Sequence, residues 1–243
     1  MDAPLLEPFP TDWTRALAVV AHPDDLEYGA ASAIAAWTDA GKEVSYLLVT
    51  RGEAGIDDMT PEEAGPLRSA EEIAGAAEVG VSVVEFLDHP DGTLTYSVDL
   101  RRDIARAIRL HRPDLLVIVN HHPTWGVGAR NQADHIVTGR CALDAVPDAA
   151  NRWIHRELLA EGLEPWGGLR RAAVSGSPEA THAVDIGSTL ERGIASLRAH
   201  RAYLDGLGPS SMSDPGTFLR SMAEQAGPRA GVQLAATFEL IGL

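Results

Sequence analysis

Two short groups of polar residues in this sequence have the types and spacing of metal ligands. His22, Asp24 and Asp25 lie within the segment HPDD, directly after the apolar run ALAVVA. Asp134 and His135 are adjacent to each other much later in the chain. Two carboxylates held close together repel, and a bound cation would offset that repulsion. Taken alone, HPDD is also typical of a solvated turn, so the second group is needed to favour a metal site.

His22, Asp25 and His135 form a candidate ligand set of two imidazoles and one carboxylate. A His-x-x-Asp spacing at a turn between a strand and a helix can present one nitrogen and one oxygen to a single ion. The set leaves a coordination position for water, which suits catalytic zinc, and it also suits non-haem iron or another divalent metal. A catalytic metal lowers the pKa of its water to about 7, and the nearby Asp24 would accept the proton.

The strands and helices that the sequence predicts must position these residues. Continuous apolar runs predict buried strands at 16–21, 43–50, 82–87 and 114–120, and amphipathic stretches predict helices at 28–41, 60–79, 98–111 and after 132. This alternation predicts an α/β fold, a Rossmann-like parallel-sheet sandwich with helices on both faces. Loops that follow parallel strands share one edge of the sheet, so HPDD and residues 120–135 are expected to meet there.

The pattern becomes less regular beyond residue 149. Strands are predicted at 169–175 and 181–186, a helix at 189–204, and a terminal strand or tail from 233. No repeat, low-complexity tract or linker divides the sequence. We therefore interpret residues 1–243 as a single domain with an elaborated C-terminal third.

The composition argues against several classes of function. The chain has 20 Lys and Arg against 35 Asp and Glu, a formal net charge of −15, which disfavours binding to nucleic acid or to anionic membranes. Cys141 is the single cysteine, so neither an intrachain disulfide nor a multi-cysteine zinc site can form. The sequence has no signal-peptide pattern and no apolar run near the roughly 18 residues of a membrane span. We expect a cytoplasmic protein, and a homo-oligomer is among the states that the sequence allows.

Several segments together resemble the PIG-L/LmbE-like zinc-dependent N-deacetylases. They are AHPDD after the first strand, VTRGEAG after the second, Arg68-x-x-Glu71 on the next helix, the late Asp-His pair, and VDIGSTLERGIASLRAHR. The resemblance covers most of residues 16–204. It implies one zinc ion bound by His22, Asp25 and His135, with Asp24 as the general base.

The chain departs from the family pattern at Gln132. The late motif of the family reads His-Pro-Asp-His, whereas residues 132–135 read QADH. The resemblance implies that the first residue stabilises the oxyanion, and Gln132 can donate a hydrogen bond for this purpose but cannot titrate. Proton delivery to the leaving amine would then fall to Asp24 or to another group, such as His121 or His122. Asp134 is expected either to orient a neighbouring donor or to act as the N-cap of the helix.

Three further residues are candidate substrate contacts. The resemblance implies that Arg68 contacts substrate hydroxyls, and the alternative is an Arg68–Glu71 pair on a solvated helix face. Asp91 lies in the loop HPDG at the predicted active edge, where it would bind polar substrate groups or simply be exposed. Trp125, in a glycine-rich loop, would form a wall for a sugar ring or pack against the protein.

The implied function is removal of an N-acetyl or other N-acyl group from an amino sugar or glycoconjugate, by metal-activated water. The expected partner is a small N-acylated molecule. A related zinc amidase for a non-sugar, thiol-conjugate or secondary-metabolite amide is an alternative, as is a metal-bound inactive homologue, which Gln132 motivates. A nucleotide-binding protein is disfavoured, because Gly126-x-Gly128 lacks a third glycine and follows the fourth strand.

Overall fold

The computed structural model of this chain describes residues 5–243, while residues 1–4, the start of the predicted domain, lie outside the described residues. The strands are β1 (Glu7–Pro8), β2 (Arg15–Val20), β3 (Glu43–Leu48), β4 (Val83–Phe86), β5 (Leu115–Val119), β6 (Thr124–Gly126), β7 (Ala129–Arg130), β8 (Arg171–Ser175), β9 (His182–Asp185) and β10 (Ala235–Gly242). The helices are α1 (Ala31–Asp39), α2 (Pro61–Glu78), α3 (Val98–His111), α4 (Ala133–Ala150), α5 (Glu157–Ala160), α6 (Leu190–Arg198), α7 (Arg201–Gly206) and α8 (Pro215–Ala230), with a 3₁₀ turn at Ser211–Ser213.

Eight of the strands in residues 5–243 form one sheet, in the spatial order β1-β9-β10-β8-β5-β2-β3-β4. Strands β8, β5, β2, β3 and β4 pair in parallel. Strand β10 is antiparallel to both β8 and β9, and the short β1 is parallel to β9. The predicted α/β fold with a largely parallel sheet is confirmed, and the antiparallel β10 is an addition to it.

Helices cover both faces of the sheet, with α1, α2, α6 and α8 on one face and α3 and α4 on the other. Strand β2 shows how the sequence specifies two faces. Ala18 and Val20 pack on the face that α1, α2, α6 and α8 cover, whereas Leu17 and Val19 pack on the face that α3 and α4 cover. The side chains alternate because successive residues of a strand point to opposite sides of the sheet. All five residues of β5 are buried in the same way. Among residues 5–243, none of the helices has the length and apolar character that a membrane crossing demands.

Residues at the N-terminus of α2 specify where this helix begins, and the helix brings two polar side chains to the sheet edge. Thr60 is the N-cap of α2 and forms a capping box with Glu63, and Pro61 takes the first helical position. These contacts satisfy the free N–H groups of the first turn, so the helix begins where the sequence predicts. Its inward face carries Arg68 and Glu72, which are 2% and 1% exposed.

Two helix boundaries differ from the prediction. Helix α1 begins at Ala31 rather than at residue 28, because residues 22–30 form a series of turns. The predicted helix 189–204 is broken at His200, whose φ of −80° and ψ of 57° are not helical, into α6 and α7. The break turns the His200 ring into the interior, where it is fully buried.

Helix α8 is an element that the sequence pattern did not predict. Its sequence, PGTFLRSMAEQAGPRA, contains Pro228, and few of its residues, among them Leu219 and Ala223, are buried. It begins at Pro215, after Asp214, whose side chain accepts a hydrogen bond from the N–H of Thr217. The helix packs against β10 and precedes the antiparallel return of the chain into the sheet.

The carboxyl ends of β2 and β5 lie side by side, because the two strands pair in parallel from Ala16↔Leu115 to Val19↔Ile118. The HPDD segment follows β2, and residues 120–135 follow β5 and contain the hairpin of β6 and β7. The two polar segments therefore meet at the edge where open α/β sheets bind ligands.

Candidate active site

The turn after β2 is built around the carboxylate of Asp25. Asp25 Oδ2 accepts hydrogen bonds from the backbone N–H groups of Ala21 and His22, both at 2.9 Å. Asp24 adopts a φ of 101°, a left-handed conformation that a residue with a side chain rarely takes. Such strain persists where the surrounding contacts enforce it, often at functional sites. The turn leaves Asp25 Oδ1 free to face the ends of the neighbouring strands.

Three candidate ligand atoms converge at this point. Asp25 Oδ1 lies 2.9 Å from His135 Nε2 and 3.7 Å from His22 Nδ1. The three side chains can each place a donor atom within 4.8 Å of the others. Burial acts to raise the pKa of Asp25, but the imidazoles of His135 and His22 hold that pKa well below its usual range. The structure thus brings together His22, Asp25 and His135, the set that the sequence predicts.

Each imidazole is oriented by an oxygen on its other ring nitrogen. His22 Nε2 faces Asp91 Oδ1 at 3.1 Å and Asp134 Oδ2 at 3.4 Å. His135 Nδ1 faces Asn131 Oδ1 at 3.0 Å. Histidines that bind metals usually donate their second N–H to such an acceptor, which fixes the tautomer and the direction of the free nitrogen. Two imidazole nitrogens and one carboxylate oxygen, held in this way, fit a divalent metal such as zinc.

Asp134 and Asp91 position His22 and also fix the loop that follows β4. Asp134 accepts hydrogen bonds from the N–H groups of Gly92 at 2.7 Å and Leu94 at 3.1 Å. The N-cap of α4 is Gln132, so the N-cap alternative for Asp134 is wrong. Asp91 Oδ2 accepts from the N–H of Ala54 at 2.8 Å, and its side chain is 7% exposed. Asp91 is therefore engaged by the protein through both oxygens rather than exposed on a loop.

Asp24, the candidate general base, lies in a buried polar pocket beside the ligand set. Its Oδ1 is 2.8 Å from Arg68 Nη2, and the hydroxyl of Tyr203 hydrogen-bonds to the same carboxylate. The N–H of Asp24 donates to Glu72 Oε2 at 3.2 Å. Burial raises the pKa of Asp24 to about 6, against the opposing effect of Arg68. A carboxylate that titrates close to neutral pH suits a general base.

Arg68 lies beneath the turn rather than on a solvated face. Its Nη1 donates to the carbonyl oxygen of Gly52 at 2.8 Å, and its Nη2 donates to the carbonyl oxygen of Pro23 as well as to Asp24. Glu71 instead accepts a hydrogen bond from the N–H of Ala202, so the alternative of a solvated Arg68–Glu71 pair is wrong. The predicted contact of Arg68 with substrate stays a prediction.

The segment RGEAG has glycines because Arg68 packs directly against it. Gly52 has a φ of +64°, and a Cβ there would lie 2.3 Å from Arg68 Nη1. A Cβ at Gly55 would lie 2.2 Å from the same nitrogen. Any larger residue at these positions would displace the guanidinium that holds Asp24.

The hairpin of β6 and β7 places Trp125 at the rim of the site. The Trp125 ring is 38% exposed and meets the His135 ring edge-on, with 5.6 Å between centroids. Gln132 has an exposed side chain at the start of α4, one turn before the ligand histidine. His122 instead pairs with Glu239 at 2.7 Å. His121 packs under Gly139, and neither His121 nor His122 lies with His22, Asp25 and His135; His122 instead groups with Glu179 and Glu239.

Asn131 is a site residue that the sequence analysis missed. Its Nδ2 donates to the carbonyl oxygens of Asn120 at 2.6 Å and His122 at 2.9 Å, and the side chain is thereby locked. Its Oδ1 then faces His135 Nδ1, four residues later. The signal in the sequence was an amide side chain placed four residues before a candidate ligand, directly before the helix.

We expect the Asn131→Ala variant to bind the metal about 10–100-fold more weakly, because the His135 ring loses the acceptor that orients it. Competition with a chromogenic chelator would measure the affinity. Asn151→Ala, at the opposite end of α4, is the matched control and should leave the affinity unchanged. Equal affinity in both variants would contradict the orienting role.

The sequence of this chain matches a known protein family and curated relatives. The profile described as PIG-L: GlcNAc-PI de-N-acetylase matches residues 17–146, which include the HPDD turn and the Asp134-His135 pair. The diacetylchitobiose deacetylase of Thermococcus kodakarensis is 29% identical over 204 residues, which cover 83% of this chain and 74% of that protein.

Solved structures agree over nearly the whole chain. The N,N'-diacetylchitobiose deacetylase from Pyrococcus horikoshii, complexed with its inhibitor MPG, is similar with a TM-score of 0.84 and 26% identity, covering 95% of this chain and 84% of that one. The 4-carboxy-2-hydroxymuconate hydratase GalB from Pseudomonas putida has a TM-score of 0.74 at 20% identity, covering 94% of this chain and 96% of that one. At that identity the likeness shows the fold alone, and a fold does not select a reaction. The family profile, which matches more than half of the sequence, shows that this chain belongs to the PIG-L family.

Proposed function

We propose that this chain is a metal-dependent hydrolase that removes the N-acetyl group from an amino sugar or a small amino-sugar conjugate. One observation carries the proposal. The hydrogen bonds at the sheet edge leave one donor atom free on each of His22, Asp25 and His135, and these atoms face one another beside a buried carboxylate, Asp24. A metal site without hydrolytic function would not need that carboxylate.

Different residues of this chain would carry out different parts of the amide hydrolysis. A divalent metal, when bound, would polarise an amide carbonyl and lower the pKa of a bound water. Asp24 would accept the proton of the attacking water and, once protonated, return it to the leaving nitrogen. Gln132 would donate a hydrogen bond from its amide to the oxyanion, since its exposed side chain stands at the start of α4.

Arg68 would hold Asp24 in place. Its guanidinium holds one carboxylate oxygen and is closed in by the backbone of Gly52 and Pro23 and by the ring of Tyr203, 4.5 Å from the ring centroid. Asp91 and Asp134 would hold the tautomer of His22 in which Nδ1 faces Asp25. Trp125 offers an exposed aromatic face at the rim, which suits stacking on a sugar ring.

The substrate class follows from the relatives. Diacetylchitobiose, named for the relatives from Thermococcus kodakarensis and Pyrococcus horikoshii, is a small N-acetylated amino sugar. The test is acetate release from N-acetylglucosamine and N,N'-diacetylchitobiose by purified protein loaded with Zn²⁺. We expect one free amine per acetate, loss of activity with a chelator and recovery on adding Zn²⁺ again.

Inertness of the metal-loaded protein toward every N-acetyl amino sugar would contradict this proposal. Release of acid from a non-sugar N-acyl compound under the same conditions would then favour the amidase alternative. Absence of release from both classes would favour the inactive, metal-bound homologue.

Gln132→His tests the departure from the family motif. We expect activity on N-acetylglucosamine to be kept or raised, because an imidazole can also donate to the oxyanion and can titrate. Steady-state kcat and KM beside the wild type would measure the effect. A loss of more than about tenfold, equal to ~1.4 kcal/mol in the barrier, would mean that the Gln132 amide has a specific role.

A further inference from the structure

A second group of ligand-type side chains lies behind the catalytic turn. Glu27 follows Asp25 in the turn, Glu72 lies on α2, and His200 sits at the break between α6 and α7. The three are at most 1% exposed. His200 Nε2 lies 3.8 Å from Glu27 Oε2 and 3.7 Å from Glu72 Oε2, which is too long for hydrogen bonds.

Polar atoms around this group lack hydrogen-bond partners among the described residues. They are Glu27 Oε2, Glu72 Oε1, both ring nitrogens of His200 and the hydroxyl oxygen of Tyr46. Folded proteins leave few buried polar atoms unsatisfied, and each one calls for an explanation. Two of these atoms, Glu27 Oε2 and His200 Nε2, lie 3.8 Å apart, which indicates a polar ligand between them that the chain itself does not supply.

Apart from the imidazole of His200, no basic side chain of residues 5–243 forms an ion pair with either carboxylate. Glu27 Oε1 accepts a hydrogen bond from Ser196 Oγ at 3.1 Å, and Glu72 Oε2 accepts from the N–H of Asp24 at 3.2 Å. Arg68, which reaches this group through Asp24, already donates hydrogen bonds to Asp24 and to two carbonyl oxygens. Two carboxylates that are ionised in a dry interior would need a positive charge between them, and a bound cation would supply it.

We propose that Glu27, Glu72 and His200 bind a second divalent ion of the first transition series, in a structural site separate from the edge centre. Ligand atoms about 2.0–2.2 Å from a zinc ion lie roughly 3–4 Å from one another, which matches the 3.8 and 3.7 Å from His200 Nε2 to the two carboxylates. An imidazole together with two carboxylates suits zinc, manganese or iron better than calcium or magnesium, which prefer oxygen ligands alone.

A glycine on α2 leaves room for the His200 ring beside the two glutamates. Gly75 of α2 faces the ring, and a Cβ there would lie 3.1 Å from His200 Nε2 and 3.0 Å from the carbonyl oxygen of Ser196. The backbone leaves the helical conformation at His200, which places the imidazole between the two glutamates. Glu72 accepts a hydrogen bond from the N–H of Asp24, so an ion bound to Glu72 would also stabilise the backbone at Asp24, where φ is 101°.

The test is the number of tightly bound metal ions per chain, measured by elemental analysis. Wild type and the variants His22→Ala and Glu72→Gln would be expressed with added ZnCl₂ or MnCl₂ and dialysed extensively. We expect two ions in the wild type, one in His22→Ala, which loses the edge ion, and one in Glu72→Gln, which loses the buried ion. Glu71→Gln, one residue away on the same helix and bonded to the N–H of Ala202, is the matched control and should keep two.

The same measurement separates the two metal centres. One ion in both the wild type and His22→Ala, with none in Glu72→Gln, would support the buried site and contradict the edge centre. One ion in the wild type, absent from His22→Ala and kept in Glu72→Gln, would overturn the buried site. If Glu72→Gln fails to fold, the metal content of His22→Ala still tests the buried site: one retained ion supports it, and no ion contradicts it. An anomalous-scattering peak among Glu27, Glu72 and His200 would locate the retained ion.

Discussion

The Asp24→Asn variant is expected to lose about 10²–10⁴-fold in kcat on N-acetylglucosamine while its metal content stays at the wild-type level. The amide cannot accept the proton of the attacking water, but it keeps the size of the carboxylate. Asp24 does not belong to the set of His22, Asp25 and His135, so the edge metal should remain. Steady-state kinetics together with elemental analysis on the same preparation would measure both quantities.

The control for this substitution is Asp88→Asn. Asp88 is another carboxylate near the same edge of the sheet, but its side chain is 86% exposed and pairs with Arg51. The control should keep both activity and metal. Full activity in Asp24→Asn would show that another group accepts the proton, and loss of metal together with activity would show that Asp24 is needed for binding.

The His135→Ala variant is expected to lose the edge metal ion, and with it essentially all hydrolysis. His135 supplies Nε2, 2.9 Å from Asp25 Oδ1, and removing it leaves one imidazole and one carboxylate for the ion. The loss of metal affinity should exceed the effect of Asn131→Ala, because a ligand is removed rather than the acceptor that orients it. Elemental analysis after dialysis would count the ions, and zinc titration would measure the remaining affinity.

His89→Ala is the matched control for His135→Ala. His89 lies in the loop after β4 at the same edge of the sheet and pairs with Asp103 at 2.9 Å, away from the ligand set. This variant should keep its metal. Unchanged metal content in His135→Ala would remove His135 from the proposed ligands, and Asp91 or Asp134, which both face His22, would become the alternatives.

Contacts that depend on distant parts of the chain could not be read from the sequence. For Arg68 the sequence left open a substrate contact and a solvated pair with Glu71; the structure buries its side chain under Asp24, which rules out the solvated pair. The difference arises because α2 packs with this face toward the turn, and only the glycines at 52 and 55 make room for the guanidinium. Spacing within one helix cannot indicate which loop its arginine will meet.

The break at His200 has a similar origin. The amphipathic pattern of 189–204 continues through this position, so local periodicity predicts one helix. The structure ends α6 before His200 because the imidazole turns inward toward Glu27 and Glu72, which come from the turn after β2 and from α2. Tertiary contacts of this kind override local helical preference, which is worth less than about 1 kcal/mol for most residues.

The sequence by itself determined the α/β class, the position of most strands and the identity of the residues at the sheet edge. It could do so because apolar periodicity and the HPDD turn are local, and because parallel strands with right-handed crossovers bring their following loops to one edge. The tertiary structure alone decided that Asn131, Asp91 and Asp134 orient the histidines, that Arg68 and Tyr203 hold Asp24, and that β10 enters the sheet antiparallel. Those features depend on how separate segments pack against one another, and spacing along the chain carries no direct record of that packing.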